Sequence, residues 1–128
     1  MSIQAGLQAE VEHTVTDADT AAALGSGDVP VLGTPAVVAL CERAAVTTLA
    51  GALEANQTSV GTRISIDHVA PTAPGRTVKA RARLERVDRR TLTFAVEASD
   101  DAGTIASGTH TRIVVDRQRF LSSADQRS

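Results

Sequence analysis

The chain has no tryptophan, no tyrosine and two phenylalanines, Phe94 and Phe120, so aromatics are 2% of its 128 residues. Its core must therefore be built from Val, Leu, Ile and Ala. A core with few large side chains leaves apolar surface that a second copy can cover, so a homodimer is expected. The single cysteine, Cys41, excludes an internal disulfide. Positive charge is not in excess: the net charge is -2, which argues against general nucleic-acid binding. No basic start leads into an apolar run, so no signal peptide is expected. No apolar stretch is long enough to span a membrane. These absences point to a cytoplasmic protein. No His/Cys spacing suggests zinc, and no glycine-rich phosphate loop of the P-loop or dinucleotide type is present.

Hydrophobic residues make up 42% of the chain, enough for one compact domain, and neither an internal repeat nor a linker divides it. Leu7 to Val15 alternates apolar and polar residues, the pattern of a half-buried strand. Residues 17 to 33 are small and irregular, and Gly25, Gly27 and Pro30 interrupt them, so a short helix or mobile loop is expected. Thr34-Pro35 reads as a helix start, with threonine as cap and proline in the first turn. From Val37 to Leu53 the helix is apolar almost all round, which predicts burial, and it is expected to end at Ala55 or Asn56. Four strand-like runs follow: Gln57 to Val69, Thr77 to Val87, Thr91 to Ala98 and Thr104 to Val115. Turns are expected at Gly75, at Asp88-Arg89-Arg90 and at Asp100 to Gly103. The polar tail, residues 121–128, is expected to fray. The order predicts an α+β hot-dog fold, a long buried helix wrapped by a five-stranded antiparallel sheet.

Three polar residues stand out against this apolar frame. Thr34 opens the helix, Glu42 lies within it, and His68 ends the first strand after it. Buried carboxylates are rare unless paired, and one held away from water is a stronger base than an exposed one. Glu42 fits that role, or equally a place on a polar helix edge facing an arginine. An imidazole titrates near neutrality and suits proton transfer. His68 fits this, or a structural place at a strand end. Thr34 fits a helix cap. Eight residues of helix span about 12 Å, so Thr34 and Glu42 do not meet within one helix. Cooperation between them needs a second subunit or a shared substrate.

Gly61 marks either a strand bulge or close backbone approach to a substrate, with its amide polarising a carbonyl. Arg112 fits a strand surface or a site wall. Cys41 points about 100° away from Glu42 on the helix and reads as a small buried hydrophobe. His13 and His110 read as structural. Lys79, Arg81 and Arg83 alternate with apolar residues and line an outer face. With Arg86, Arg89 and Arg90 they are a solvated stripe or a site for nucleotide phosphates.

The stretches GT-x7-E around Thr34 and Glu42, VGTRISIDHVAPTAPG from Val60 to Gly75, and IASGTHTR ending at Arg112 carry a resemblance. On these the chain resembles the fluoroacetyl-CoA thioesterase family of hot-dog proteins, without gaps from Thr34 to Arg112, and Phe120 also matches. The resemblance implies hydrolysis of an acyl-CoA thioester in a homodimer with active sites at the subunit interface. It implies that Thr34, Glu42 and His68 act together, that the Gly61 amide lies near the thioester carbonyl, and that Arg112 shapes the site. No cofactor is implied, since CoA enters as part of the substrate. The family's founding enzyme has a phenylalanine-bearing lid before the helix, whereas residues 17 to 33 hold no aromatic. A different acyl group, bulkier or less defined, is therefore expected. Two other functions fit the same frame: an acyl-CoA binding or sensing module without turnover, and a hot-dog enoyl-CoA hydratase. The second normally shows an Asp and His pair near a strand-to-helix junction, which is not seen.

Overall fold

A computed structural model describes residues 3–127. Strand β1 (Gln8–Thr14) leads into a 3-10 turn over Asp17–Asp19 and a one-turn helix α1 (Ala21–Leu24). Helix α2 (Thr34–Thr48) follows, then strands β2 (Gln57–His68), β3 (Thr77–Asp88), β4 (Thr91–Asp100) and β5 (Gly103–Asp116), and helix α3 (Arg117–Arg127). The strands form one antiparallel sheet in the order β1-β3-β4-β5-β2. All five predicted strands and the long helix are present, and the fold is the expected α+β arrangement.

Alternation explains why the sheet buries one face. Val78, Ala80, Ala82 and Leu84 on β3 face inward with Leu92, Phe94, Val96 and Ala98 on β4. Val37, Leu40, Cys41, Ala44 and Ala45 on α2 pack against them. Alanines in both layers let helix and sheet approach closely, so a core with one fully buried phenylalanine still closes. Cys41 is wholly buried, and burial, helped by the neighbouring Glu42 charge, pushes its thiol up to about 11. It is an inert core residue, as its position on the helix predicts.

Three expectations need correction. Helix α2 is not buried all round: Pro35, Ala39, Arg43, Val46 and Thr47 are exposed, because a single sheet covers only one side. It also ends at Thr48, not at Ala55 or Asn56. The Thr47 and Thr48 hydroxyls donate back to the Arg43 and Ala44 carbonyls. The Leu49 and Ala50 amides then tighten to i−3 bonds, and Gly51 takes φ +79°. Finally, the tail is helical through Arg127. No residue of α3 is buried, so nothing from the core holds it. Ser128, the last residue of the expected frayed tail, lies outside the described residues.

The outer face of the sheet carries the basic stripe, matched by acids in register. Glu10 stands opposite Arg81 and Glu12 opposite Lys79, and Glu97 lies 3.8 Å from Arg81 on the other side. Arg81 thus forms exposed ion pairs with Glu10 and Glu97, each contributing little to stability.

The β3–β4 hairpin turns through Arg89 and Arg90, and Arg89 is held at φ +57°. A left-handed L-residue costs about 1–2 kcal/mol, and glycine regains part of that as unfolded-chain entropy. Arg89→Gly is expected to stabilise the fold by about 0.5–1 kcal/mol, raising Tm by about 2–4 °C in a thermal melt.

Candidate active site

The residues singled out in the sequence collect into two clusters, one at each end of a stretch of α2. At the start of α2, Gly33 is the N-cap and Thr34 is the first helical residue. Thr34 therefore makes no cap hydrogen bond. Its hydroxyl instead lies 2.8 Å from His68 Nδ1 at the end of β2. The other ring nitrogen, Nε2, is buried and has no hydrogen-bond partner among the described residues. An unpaired buried ring nitrogen is uncommon, and it marks the imidazole as a group with one polar atom uncommitted.

A cavity of about 320 Å³ opens beside this pair. The segment before α2 forms much of its wall, with Val31 and Leu32 among the lining residues. That segment is not loose. Asp19 Oδ2 accepts from the Thr16 amide at 2.8 Å and from the Thr16 hydroxyl at 2.9 Å, and lies 2.8 Å from His13 Nε2. The Thr16 amide bond, then the His13 bond, hold the Asp19 carboxyl below its usual range. His13, read as structural, ties β1 to this segment.

The second cluster surrounds Gly61. Glu42 projects from α2 toward β2, and its side chain is 40% exposed. It is thus not the buried carboxylate that the apolar helix suggested. Its Oε2 lies 3.8 Å from Arg112 Nη1. Arg112 is no surface residue: it is 6% exposed and points inward from β5. Its Nε donates to Ser59 Oγ and its Nη2 to the Ser59 carbonyl, both at 2.9 Å. Its Nη1 donates to His110 Nε2 at 3.1 Å. Gly61 lies in an irregularity where β2 slips against β5 between Gly61 and Arg63. A methyl carbon at Gly61 would stand 2.9 Å from Glu42 Oε2 and 3.3 Å from Arg112 Nη1. The bulge reading of Gly61 holds, and its missing side chain also leaves room for the carboxylate.

His110 and Ser59 were not recognised as parts of this cluster from the sequence. The signal was available for His110: alternation along β5 places it on the same face as Ala106 and Arg112. His110 Nδ1 donates to the Arg63 carbonyl at 2.8 Å, which leaves Nε2 as the acceptor for Arg112. The ring is therefore neutral in this arrangement. It is 1% exposed, and burial, then the nearby Arg112 charge, lowers its pKa against the opposing Arg63 bond and Glu42 charge.

The clusters do not close on one another within a chain. Thr34 and Glu42 are about 12 Å apart along α2. His68 and Gly61 are seven residues apart on β2, about 23 Å. The strand that carries both is a sheet edge, 12 residues long.

The chain is similar to known proteins in both sequence and fold. A profile of the family described as fluoroacetyl-CoA-specific thioesterase matches residues 15–118. The fluoroacetyl-CoA thioesterase of Streptantibioticus cattleyicolor is 39% identical over 98 residues, 77% of this chain and 70% of that protein. The crystal structure of a variant fluoroacetyl-CoA-specific thioesterase superposes with a TM-score of 0.93 at 31% identity, covering 100% of this chain and 99% of that one. A hypothetical protein of Thermus thermophilus, a thioesterase superfamily member, superposes at 0.90 with 25% identity, covering 97% of this chain and 92% of its own. Fold and relatives together define an acyl-CoA thioesterase of the hot-dog class. Within that class, the chain belongs to the fluoroacetyl-CoA-specific thioesterase family.

The lowered pKa of His110 gives a stability signature. The unfolded chain binds this proton more readily than the folded one, so the contribution is complete above the ordinary histidine value. It is lost as pH falls toward the folded value. Thermal melts between pH 8 and 5 are expected to show Tm falling on the acid side of about 6.5. His110→Gln is expected to flatten that fall, and equal slopes for the two proteins would show that the imidazole protonates as easily in the fold as outside it.

Proposed function

We propose that the chain hydrolyses an acyl-CoA thioester to the free acid and CoA, at a site built from both clusters, one from each subunit of a homodimer. The observation that carries this reading is the Thr34–His68 pair, with its unpartnered buried Nε2, standing beside a cavity. The long free edge of β2 supports the dimer, since an exposed edge strand is a template for pairing with another chain. Antiparallel pairing of two β2 edges carries the Glu42–Gly61 cluster of one subunit toward the Thr34–His68 cluster of the other. The reaction needs no cofactor, and we place it in the cytoplasm.

In this mechanism the Gly61 amide polarises the thioester carbonyl. Glu42, aimed by Arg112, either takes a proton from the attacking water or attacks the carbonyl carbon itself. In both cases the carbon–sulfur bond breaks with its electron pair on sulfur, and His68 delivers a proton to the thiolate. In the second case a mixed anhydride forms on Glu42 and water cleaves it. Thr34 orients the His68 ring. Glu42 is half exposed in the single chain, and a partner subunit covering it would remove the water that weakens its charge interactions.

Subunit complementation tests the shared site. Glu42→Gln and His68→Ala homodimers are each expected to lose at least about 100-fold in kcat/KM. Mixed and re-associated at equal amounts, they are expected to recover roughly a quarter of wild-type activity, because half the dimers are mixed and each holds one intact site. No recovery, with mixed dimers shown by mass, would place the site within one chain. Single-turnover reaction in oxygen-18 water separates the two routes: label appearing in Glu42 marks the anhydride.

A further inference from the structure

The cavity beside Thr34 and His68 has a chemistry that thioester hydrolysis alone does not require. Its walls include Ala21, Val29, Val31 and Leu32 before α2, and Ala70 after β2. Only Ser26, Thr34 and His68 bring polar side chains to it. Among the described residues, no aspartate, glutamate, lysine or arginine lines it. This wall gives an acyl group ending in a carboxylate no cation to pair with as it loses water, a heavy cost.

Size limits the acyl group from the other direction. The cavity measures about 320 Å³. A dry apolar cavity of about 150 Å³ holds a six-carbon ring. Half of the volume therefore suffices for a short aliphatic chain, leaving the rest for the thioester and the start of the CoA arm. An acetyl group would leave most of the apolar wall uncovered, and a long-chain acyl group would run out past that wall with nothing of this chain to cover it. We infer that the substrate acyl group is a neutral aliphatic chain of about four to six carbons, held between the segment before α2 and the end of β2. This rests on the thioesterase reading and adds the substrate class to it.

The segment before α2 is the part that selects. Gly33 already packs hard against α1, where an added methyl carbon would stand 3.0 Å from the Ala21 amide nitrogen. That contact fixes where the wall turns into α2, and the short side chains along it set how deep the cavity runs. Val29 is half exposed at its rim, so a larger side chain there narrows the cavity without entering the core.

The test uses acetyl-, butyryl-, isovaleryl-, hexanoyl-, palmitoyl- and succinyl-CoA. Thiol release is followed with the wild type, and binding of the same esters to Glu42→Gln is measured by calorimetry. From acetyl to butyryl, kcat/KM is expected to rise about tenfold or more. It stays high through isovaleryl and hexanoyl and falls for palmitoyl. Succinyl-CoA, which matches butyryl in length but carries a carboxylate, is expected about 100-fold or more below it. Val29→Phe is expected to move the acetyl-to-isovaleryl ratio about tenfold toward acetyl. Preference for acetyl or succinyl, a flat profile, or a ratio that Val29→Phe leaves unchanged would overturn the acyl inference while the thioesterase reading stands. If wild type hydrolyses none of the esters, the thioesterase reading fails. The calorimetric order then decides the acyl class: tightest binding of the four-to-six-carbon esters supports it, and any other order overturns it.

Discussion

Arg112 carries a charge almost wholly out of water, and the second cluster is organised around making that tolerable. An isolated buried ion costs several kcal/mol. Ser59 supplies two acceptors, His110 a third, and Glu42 the opposite charge. Each of these places a demand further out. His110 must be neutral and must spend its other nitrogen on the Arg63 carbonyl. Gly61 must have no side chain, because the carboxylate and the guanidinium close over it. Three sheet positions and one helix position are thus set by one guanidinium, and the result is a carboxylate held at a defined place at the edge of the fold.

The first cluster solves a different problem. It has no buried charge to satisfy. Its hydroxyl–imidazole pair needs only that a helix start meets a strand end, with a short segment wrapped over the junction. Rigid α2 keeps the two clusters apart, and this separation suits chemistry that must not collapse before substrate arrives. Spacing along the helix leaves the carboxylate beside Arg112 and the imidazole on Thr34.

The fold was legible because the alternation along β1 to β5 is strong and turns separate the strands clearly. Helix α2 was legible as an element but not in its extent. The threonine hydroxyls that bond back to the backbone, and Gly51, stop it about two turns early, whereas apolar content alone carries on. Apolar content also hid that one sheet covers only one face, so it could not decide between a buried Glu42 and one on a polar helix edge; the structure puts it on the edge, 40% exposed and 3.8 Å from Arg112. Thr34 looked like a cap because threonine usually is one there. Its partner is 34 residues away on another element, and no local pattern encodes that contact. His110 was passed over because spacing offered it no partner. Its partners are a backbone carbonyl and an arginine two residues along the same strand face.

The slip in β2 near Gly61 has a consequence of phase. Positions an odd number apart in a regular strand point to opposite sides. Gly61 and His68 are seven apart, yet both face the helix, because one additional residue is absorbed between Gly61 and Arg63. The bulge is a phase shifter: it returns the strand to the same side after an odd count. Without it, either the bare α-carbon of Gly61 beside Glu42 or the His68 imidazole beside Thr34 would turn to the outer face of the sheet.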